Sequence, residues 1–240
     1  MFGGTLTMQD AFSSSSSFTL TNGTLNANNF NVTATTFSSS NSNTRTLTMG
    51  SGTWTVTSSG TVWNMATATN LTVNADTSTI SMTEVTTAAK TFAGGGKTFN
   101  NISIASDGSA GTTTFTGANT FAGMTIGAGG AKSIVLPGST TTTITASSGL
   151  GNGTNVVTFT ASSGSATISS ATGNFCWNYV SLTNIPSTGG ATFYAGANST
   201  NGGGNTGWSF TACPSGAAGF SKGTFESKGD STIKGDGAVK

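Results

Sequence analysis

"TFAGGGKTFNNISI", residues 91–104, returns a few residues later as "TFTGANTFAGMTI", residues 114–126. Phe99, Ile102 and Ile104 in the first copy correspond to Phe121, Met124 and Ile126 in the second, each 22 residues on. Within each copy the apolar residues alternate with Thr, Ser or Asn, which puts them on opposite faces of a strand. The two copies are joined through glycine-rich turns. A repeat in the twenties, built from short strands and glycine turns, marks a solenoid in which each coil stacks on its neighbours.

The same alternation runs through the chain. Phe18-Thr19-Leu20, Phe30-Asn31-Val32, Leu47-Thr48-Met49 and Trp54-Thr55-Val56 are followed by Leu71-Thr72-Val73, Ile80-Ser81-Met82 and Val157-Thr158-Phe159. β-branched Thr suits the outer face of such strands. Turn clusters such as "TNG", "GSG", "SSG" and "GNG" separate the runs. No segment carries a capped helical period. The chain reads as all-β: a right-handed parallel β-helix, or β-solenoid, with two or three strands per coil. About nine coils would make a rod about 40–45 Å long. A β-sandwich or jelly roll is the alternative, but it does not account for the in-register echo. An earlier repeat, in "LTMGSGTWTV" and "LTVNADTSTISM", aligns Thr48 with Thr72 at a spacing of 24.

Gly94-Gly95-Gly96-Lys97-Thr98 has the look of a phosphate-binding loop, in which backbone N–H groups cradle the anion and the lysine reaches its charge. Three features refuse that reading. The glycine required five residues before Gly96 is Thr91, the segment that follows is a strand rather than a helix, and the echo fills the same slot with "GANT". The stretch reads as a turn.

Composition limits the chemistry. Of 240 residues, 6% are charged, none is histidine, and net charge is +1. That balance lacks the basic footprint that nucleic acid or anionic lipid requires, so neither is expected as a partner. Fifteen Phe and four Trp argue for a folded chain rather than a disordered one. Without histidine, Ser-His-Asp and Cys-His catalysis and histidine metal clusters are excluded. Four acids lie in the body: Asp10, Asp76, Glu84 and Asp107. Asp76 and Glu84 could meet on adjacent strands as a glycan-cleaving pair, but both stand in turn-like contexts. The expectation is a protein that is not an enzyme and holds no cofactor or metal.

Cys176, in "NFCWNYVSL", reads as a buried inert thiol, with a bond to Cys213 as the alternative. Six Asn-x-Ser/Thr sequons, at Asn22, Asn31, Asn70, Asn101, Asn152 and Asn198, are expected by chance in so Asn- and Thr-rich a chain. Thr-x-Thr pairs recur, as at Thr53 to Thr57 and Thr141 to Thr145. An ice-binding face would repeat the pair once per coil at one position. Their spacings in sequence wander, so they read as outward strand positions only.

The alternation stops near residues 212–219, dividing a solenoid body (1–213) from a carboxy-terminal arm (214–240). Seven of the 15 charges fall in the last 19 residues, within "FSKGTFESKGDSTIKGDGAVK". Phe220, Lys222, Phe225, Lys228, Ile233, Lys234 and Val239 read as partner-docking residues, with the arm adding strands to an exposed sheet edge. Phe2 and Phe12 are expected to cap one end of the rod, and Trp208 and Phe210 the other.

"FSSSNSNTRTLTMGSGTWTV", "VWNMATATNLTV", "KTFAGGGKTFNNISI" and "YVSLTNIPSTGGATFYAGANSTNGGGNTGWSF" resemble segments of a diffuse group of bacteriophage and metagenomic virion proteins. The resemblance covers most of residues 4–211. It is most specific at Tyr179, Gly189-Gly190, Tyr194-Ala195-Gly196 and Gly207-Trp208. It implies a Thr/Ser/Gly-rich β-helical fibre, appendage or decoration protein. The expected partners are other virion proteins and further copies of this chain in a homo-oligomer, with a host surface glycan as a further contact. The terminus "MFGGTLTMQD" shows no basic and apolar export signal, and the expected location is the virion, assembled in a host cytoplasm. A cell-surface adhesin or filament subunit is the alternative reading.

Overall fold

The computed structural model describes residues 3–105, 111–127, 129–148 and 150–214. The arm, from residue 215 on, lies outside them, as do Phe2 and Asp107. Every described strand pairs in parallel with the equivalent strand of the coil above or below. A sandwich or jelly roll would pair antiparallel strands, so the fold is a parallel β-solenoid of about nine coils.

The third coil shows the plan. Arg45–Thr48 lies in a first sheet, Thr53–Val56 in a second and Gly60–Asn64 in a third. The second and third sheets run through nine coils each. The first sheet has four strands and ends at Leu71–Asn74. The next three coils are two-sided, beginning with Thr98–Ile104 and Thr112–Thr116. A fourth sheet then opens on the other side of the coil, formed by Asn174–Cys176, Thr192–Tyr194 and Trp208–Ser209. The third side of the rod thus changes corner along its length.

Period-2 alternation decides what each strand buries. Thr53–Val56 and Thr79–Met82 both alternate half-buried with buried positions. In the second sheet Val32, Trp54, Ile80, Ile102 and Met124 stack in register, and in the third Phe18, Phe37, Trp63, Phe92 and Phe115 do so. Rings of the third-sheet column interleave with another second-sheet pair, Phe99 and Phe121: Phe121 is fully buried with ring centres 5.7 Å from Phe92 and Phe99 and 5.8 Å from Phe115. Burying one such ring contributes about 1.5–3 kcal/mol, and each well-oriented aromatic pair adds about 0.5–1.5 kcal/mol. Between residues 122 and 158 the sequence has no aromatic residue, and Ile134 and Ile144 fill the core. The aromatic packing resumes with Phe159, Trp177, Phe175, Phe193 and Trp208.

The echo that identified the fold is a true register: Phe99 lies opposite Phe121, Ile102 opposite Met124 and Ile104 opposite Ile126. The earlier alignment is corrected. Thr72 lies opposite Thr46, and Thr48 opposite Asn74, because the turns of that coil are two residues longer than the repeat of 24 assumed.

Candidate functional site

The glycine–lysine stretch is a corner between the third and second sheets. Gly95 and Gly96 have φ of 65° and 69°, a region that favours glycine. A Cβ on Gly95 would sit 2.2 Å from the Met65 carbonyl oxygen of the coil above. One on Gly94 would sit 2.3 Å from Asn119 Oδ1 of the coil below. The glycines serve close stacking of coils. Asn119 plugs the corner, accepting from Gly96 N–H (3.1 Å) and donating to Thr116 O (3.0 Å). Lys97 Nζ donates to Leu71 O at 2.7 Å, so its charge is spent on a neighbouring coil.

Asp76 and Glu84 do not meet. Asp76 precedes the strand Thr79–Met82 and Glu84 follows it. That strand alone spans about 13 Å, beyond the separation of about 5–9.5 Å that glycoside-cleaving carboxylates need. Asp76 sits at φ 47° and its Oδ2 accepts from Gly50 N–H at 3.1 Å, a structural role in its corner. Glu84 Oε1 accepts from Thr86 N–H at 2.8 Å. Hydrogen bonding by Thr86 side chain and backbone holds its carboxyl below the usual carboxylate range, with a smaller contribution from Lys90 and Lys132.

Three buried cations escaped the sequence reading. Arg45 is 1% exposed, Lys90 1% and Lys132 2%. Arg45 Nε donates to Asn43 O (2.9 Å) and its Nη atoms to the carbonyls of Ser39, Asn41 and Thr69 and to Ser39 Oγ. Burial lowers its pKa. Lys90 Nζ donates to Thr86 O and Ala88 O, both at 2.9 Å. A signal was present: each cation stands two residues before an inward Leu47, Phe92 or Ile134, so parity places it inside.

The carboxy-terminal end also differs from expectation. Cys176 is not a free thiol; it is bonded to Cys213, 37 residues on, with Cα atoms 5.8 Å apart. The bond ties the end of the described chain to the fourth sheet. Phe12 packs on Phe18 at the first coil (4.8 Å), and Trp208 packs on Trp177 (4.7 Å) while donating to Ile185 O (2.9 Å). Those two expected caps are in place, with Phe210 also against the core. The docking residues Phe220, Lys222, Phe225, Lys228, Ile233, Lys234 and Val239 lie outside the described residues.

Among the described residues no group of three His, Cys, Asp or Glu could hold a metal ion, and no helix is long and apolar enough to cross a membrane. A cleft of about 460 Å³ beside the first coil is lined by Leu6, Phe18, Leu20 and Leu25 with hydroxyl residues, and no ionisable group enters it.

What the coils do bring together is hydroxyls. In the third sheet Thr112, Ser133, Thr158, Ser181 and Thr200 form one outward column, in register over five coils. Two residues along each strand, Thr61, Thr91, Thr114, Val135, Thr160 and Thr183 form a second. The intervening Thr113, Ile134, Phe159 and Leu182 point into the core. The first sheet carries a smaller array of Thr5, Thr24, Thr46 and Thr72 beside Thr7, Asn26, Thr48 and Asn74. The pairs at Thr53–Thr57 do not persist in the second sheet, where Thr53 and Thr55 lie beside Thr79 and Ser81 and then Asn101 and Ser103. In the third sheet turns of unequal length absorb the wandering spacings, and a hydroxyl pair repeats over four coils with Val135 as the one exception.

No protein-family model, no curated protein and no solved structure matches this chain.

Proposed function

We propose that this protein is a non-enzymatic structural subunit of a bacteriophage virion: a fibre, spike or capsid-decorating rod. It self-associates and docks on other virion proteins through its carboxy-terminal arm. The observation that carries this reading is the single buried core running through the described coils, with Arg45, Asp76, Lys90 and Lys97 bonded to the backbone around it. Arg45, Lys90 and Lys97 all donate to backbone carbonyls, and Asp76 accepts from backbone. Side chains so committed are not free for acid–base work. A solenoid also suits mechanical duty, because its stability is distributed over nearest-neighbour coil contacts. A host surface glycan is a further contact consistent with a hydroxyl-rich exterior.

The Cys176–Cys213 bond favours work outside a reducing cytosol. A released virion satisfies that condition, and so does the second reading, a cell-surface adhesin or filament subunit. One experiment separates them. Deleting residues 219–240 should leave a body with a cooperative melt that no longer co-sediments with phage particles. Unchanged incorporation refutes docking through the arm, and recovery of the full chain on the bacterial surface, absent from particles, favours the adhesin.

A further inference from the structure

The in-register hydroxyl columns of the third sheet have a chemistry of their own. Over four consecutive coils the outward pairs are Thr112 with Thr114, Ser133 with Val135, Thr158 with Thr160 and Ser181 with Thr183. Seven of these eight side chains are hydroxyls, and the eighth, Val135, has the shape of threonine. Among the described residues the register of this sheet shifts above the array, between Thr91 and Phe92, and runs unbroken through it. Neighbouring coils repeat the pair at about 4.8 Å, and the two members of a pair are about 6.6 Å apart along the strand. The result is a two-dimensional grid of oxygens and methyl groups with one fixed spacing in each direction.

The surroundings of the grid narrow what it can bind. No charged residue lies on it: Lys90 and Lys132, the cations of these strands, are buried beneath. The polar side chains that bond to protein do so mainly at corners, as Asn119, Asn205 and Ser199 do. No hydrogen bond between described residues engages the seven grid hydroxyls, whereas in the first sheet Asn74 Nδ2 donates to Thr48 Oγ1. A crystalline polysaccharide would call for flat aromatic platforms. Trp54, Trp63 and Trp177 are all at most 1% exposed, and none stands on this face.

We infer that the Thr112–Thr183 face of the third sheet binds ice. Each hydroxyl both donates to and accepts from water, and each threonine methyl restricts the orientation of the water beside it. A rigid grid of both, with one spacing along each direction, orders a water layer that a growing crystal can incorporate. The rigidity comes from the parallel ladder and packed core below, which fix the Cα positions of the grid before binding, and threonine's branched χ1 leaves mainly the hydroxyl rotors and the two serines to be ordered. This activity does not depend on the virion reading and is measured separately from it.

The test is ice-affinity partitioning of the purified full chain, together with ice-crystal shaping and thermal hysteresis. Thr160→Lys and Thr160→Tyr break the grid at its centre, and Thr46→Lys places the same charge on the first sheet as a control. The expected result is enrichment of wild type and Thr46→Lys in the ice fraction, and loss of enrichment in both Thr160 variants with unchanged circular dichroism. Absence of wild-type protein from ice overturns the inference. So does retained binding by Thr160→Lys or Thr160→Tyr, equal loss in Thr46→Lys, or capture by cellulose or chitin in place of ice.

Discussion

Replacing Arg45 tests how a nearly charge-free body tolerates a cation in its interior. The guanidinium is 1% exposed and is held by four carbonyls and one hydroxyl, from Ser39, Asn41, Asn43 and Thr69, with no carboxylate among them. A hydrogen bond from a charged donor contributes about 1.5–3 kcal/mol. Five such bonds would sum to as much as the whole margin of a domain, about 5–15 kcal/mol. Desolvating the ion costs several kcal/mol and cancels much of that sum. Truncation is different, because it leaves the buried Ser39 carbonyl and three partly buried ones at two successive corners without donors, at a cost of about 1–3 kcal/mol for a fully buried group and less for the others. Partial rehydration of the corners limits the total, and Arg45→Met should lose about 3–5 kcal/mol. Arg45→Lys keeps the charge but has three donors in place of five, and should lose about 1–3 kcal/mol. The assay is urea unfolding at constant m-value, repeated in low and high salt. Because the partners are neutral carbonyls, the losses should be nearly independent of salt. An Arg45→Met protein as stable as wild type would refute the reasoning, since desolvation would then outweigh the bonds. A loss that vanishes in high salt would equally refute it, by pointing to an ion pair.

Two further outcomes are expected. Cys213→Ser, or reduction, opens a loop of sequence separation 37 and should cost about 4 kcal/mol in the chain-entropy account; hydrogen exchange should speed up at Thr192–Tyr194 and Trp208–Ser209 while Thr112–Thr116 stays protected, and uniform loss across all strands would contradict a local tie. The Glu84 carboxyl is depressed in the folded state, so its stabilisation is present above the ordinary carboxylate pKa and is lost as pH falls through the depressed value; melting temperature measured from neutral to strongly acid pH should fall less steeply for Glu84→Gln than for wild type, and identical acid limbs would dismiss the contribution.

The alternation of apolar and hydroxyl residues was enough to read the coil, because parity alone sends Ile102 inward and Ser103 outward. The echo was enough to pair Phe99 with Phe121, because the turns on either side have nearly equal lengths. Where turns differ, sequence spacing misleads: Thr72 faces Thr46 rather than Thr48. The same inequality hid the hydroxyl grid, whose members are regular in space and irregular in number. Arg45, Lys90 and Lys132 were missed because charge suggests the surface even where parity says core, and the carbonyls that hold them come from turns with no distinctive sequence. The sequence leaves the Cys176–Cys213 bond as the alternative to a buried thiol, since distance along the chain says little about distance across stacked coils.

The gap in the aromatic packing between Phe121 and Phe159 has an optical consequence. It leaves Trp54 and Trp63 in one cluster, with ring centres 6.0 Å apart, and Trp177 and Trp208 in the other, 4.7 Å apart. These are all four tryptophans of the chain. Replacing either pair with phenylalanine would leave the emission of one half of the rod as an intrinsic reporter. Fluorescence from two such proteins would then follow, without any attached dye, whether the halves come apart together or in turn.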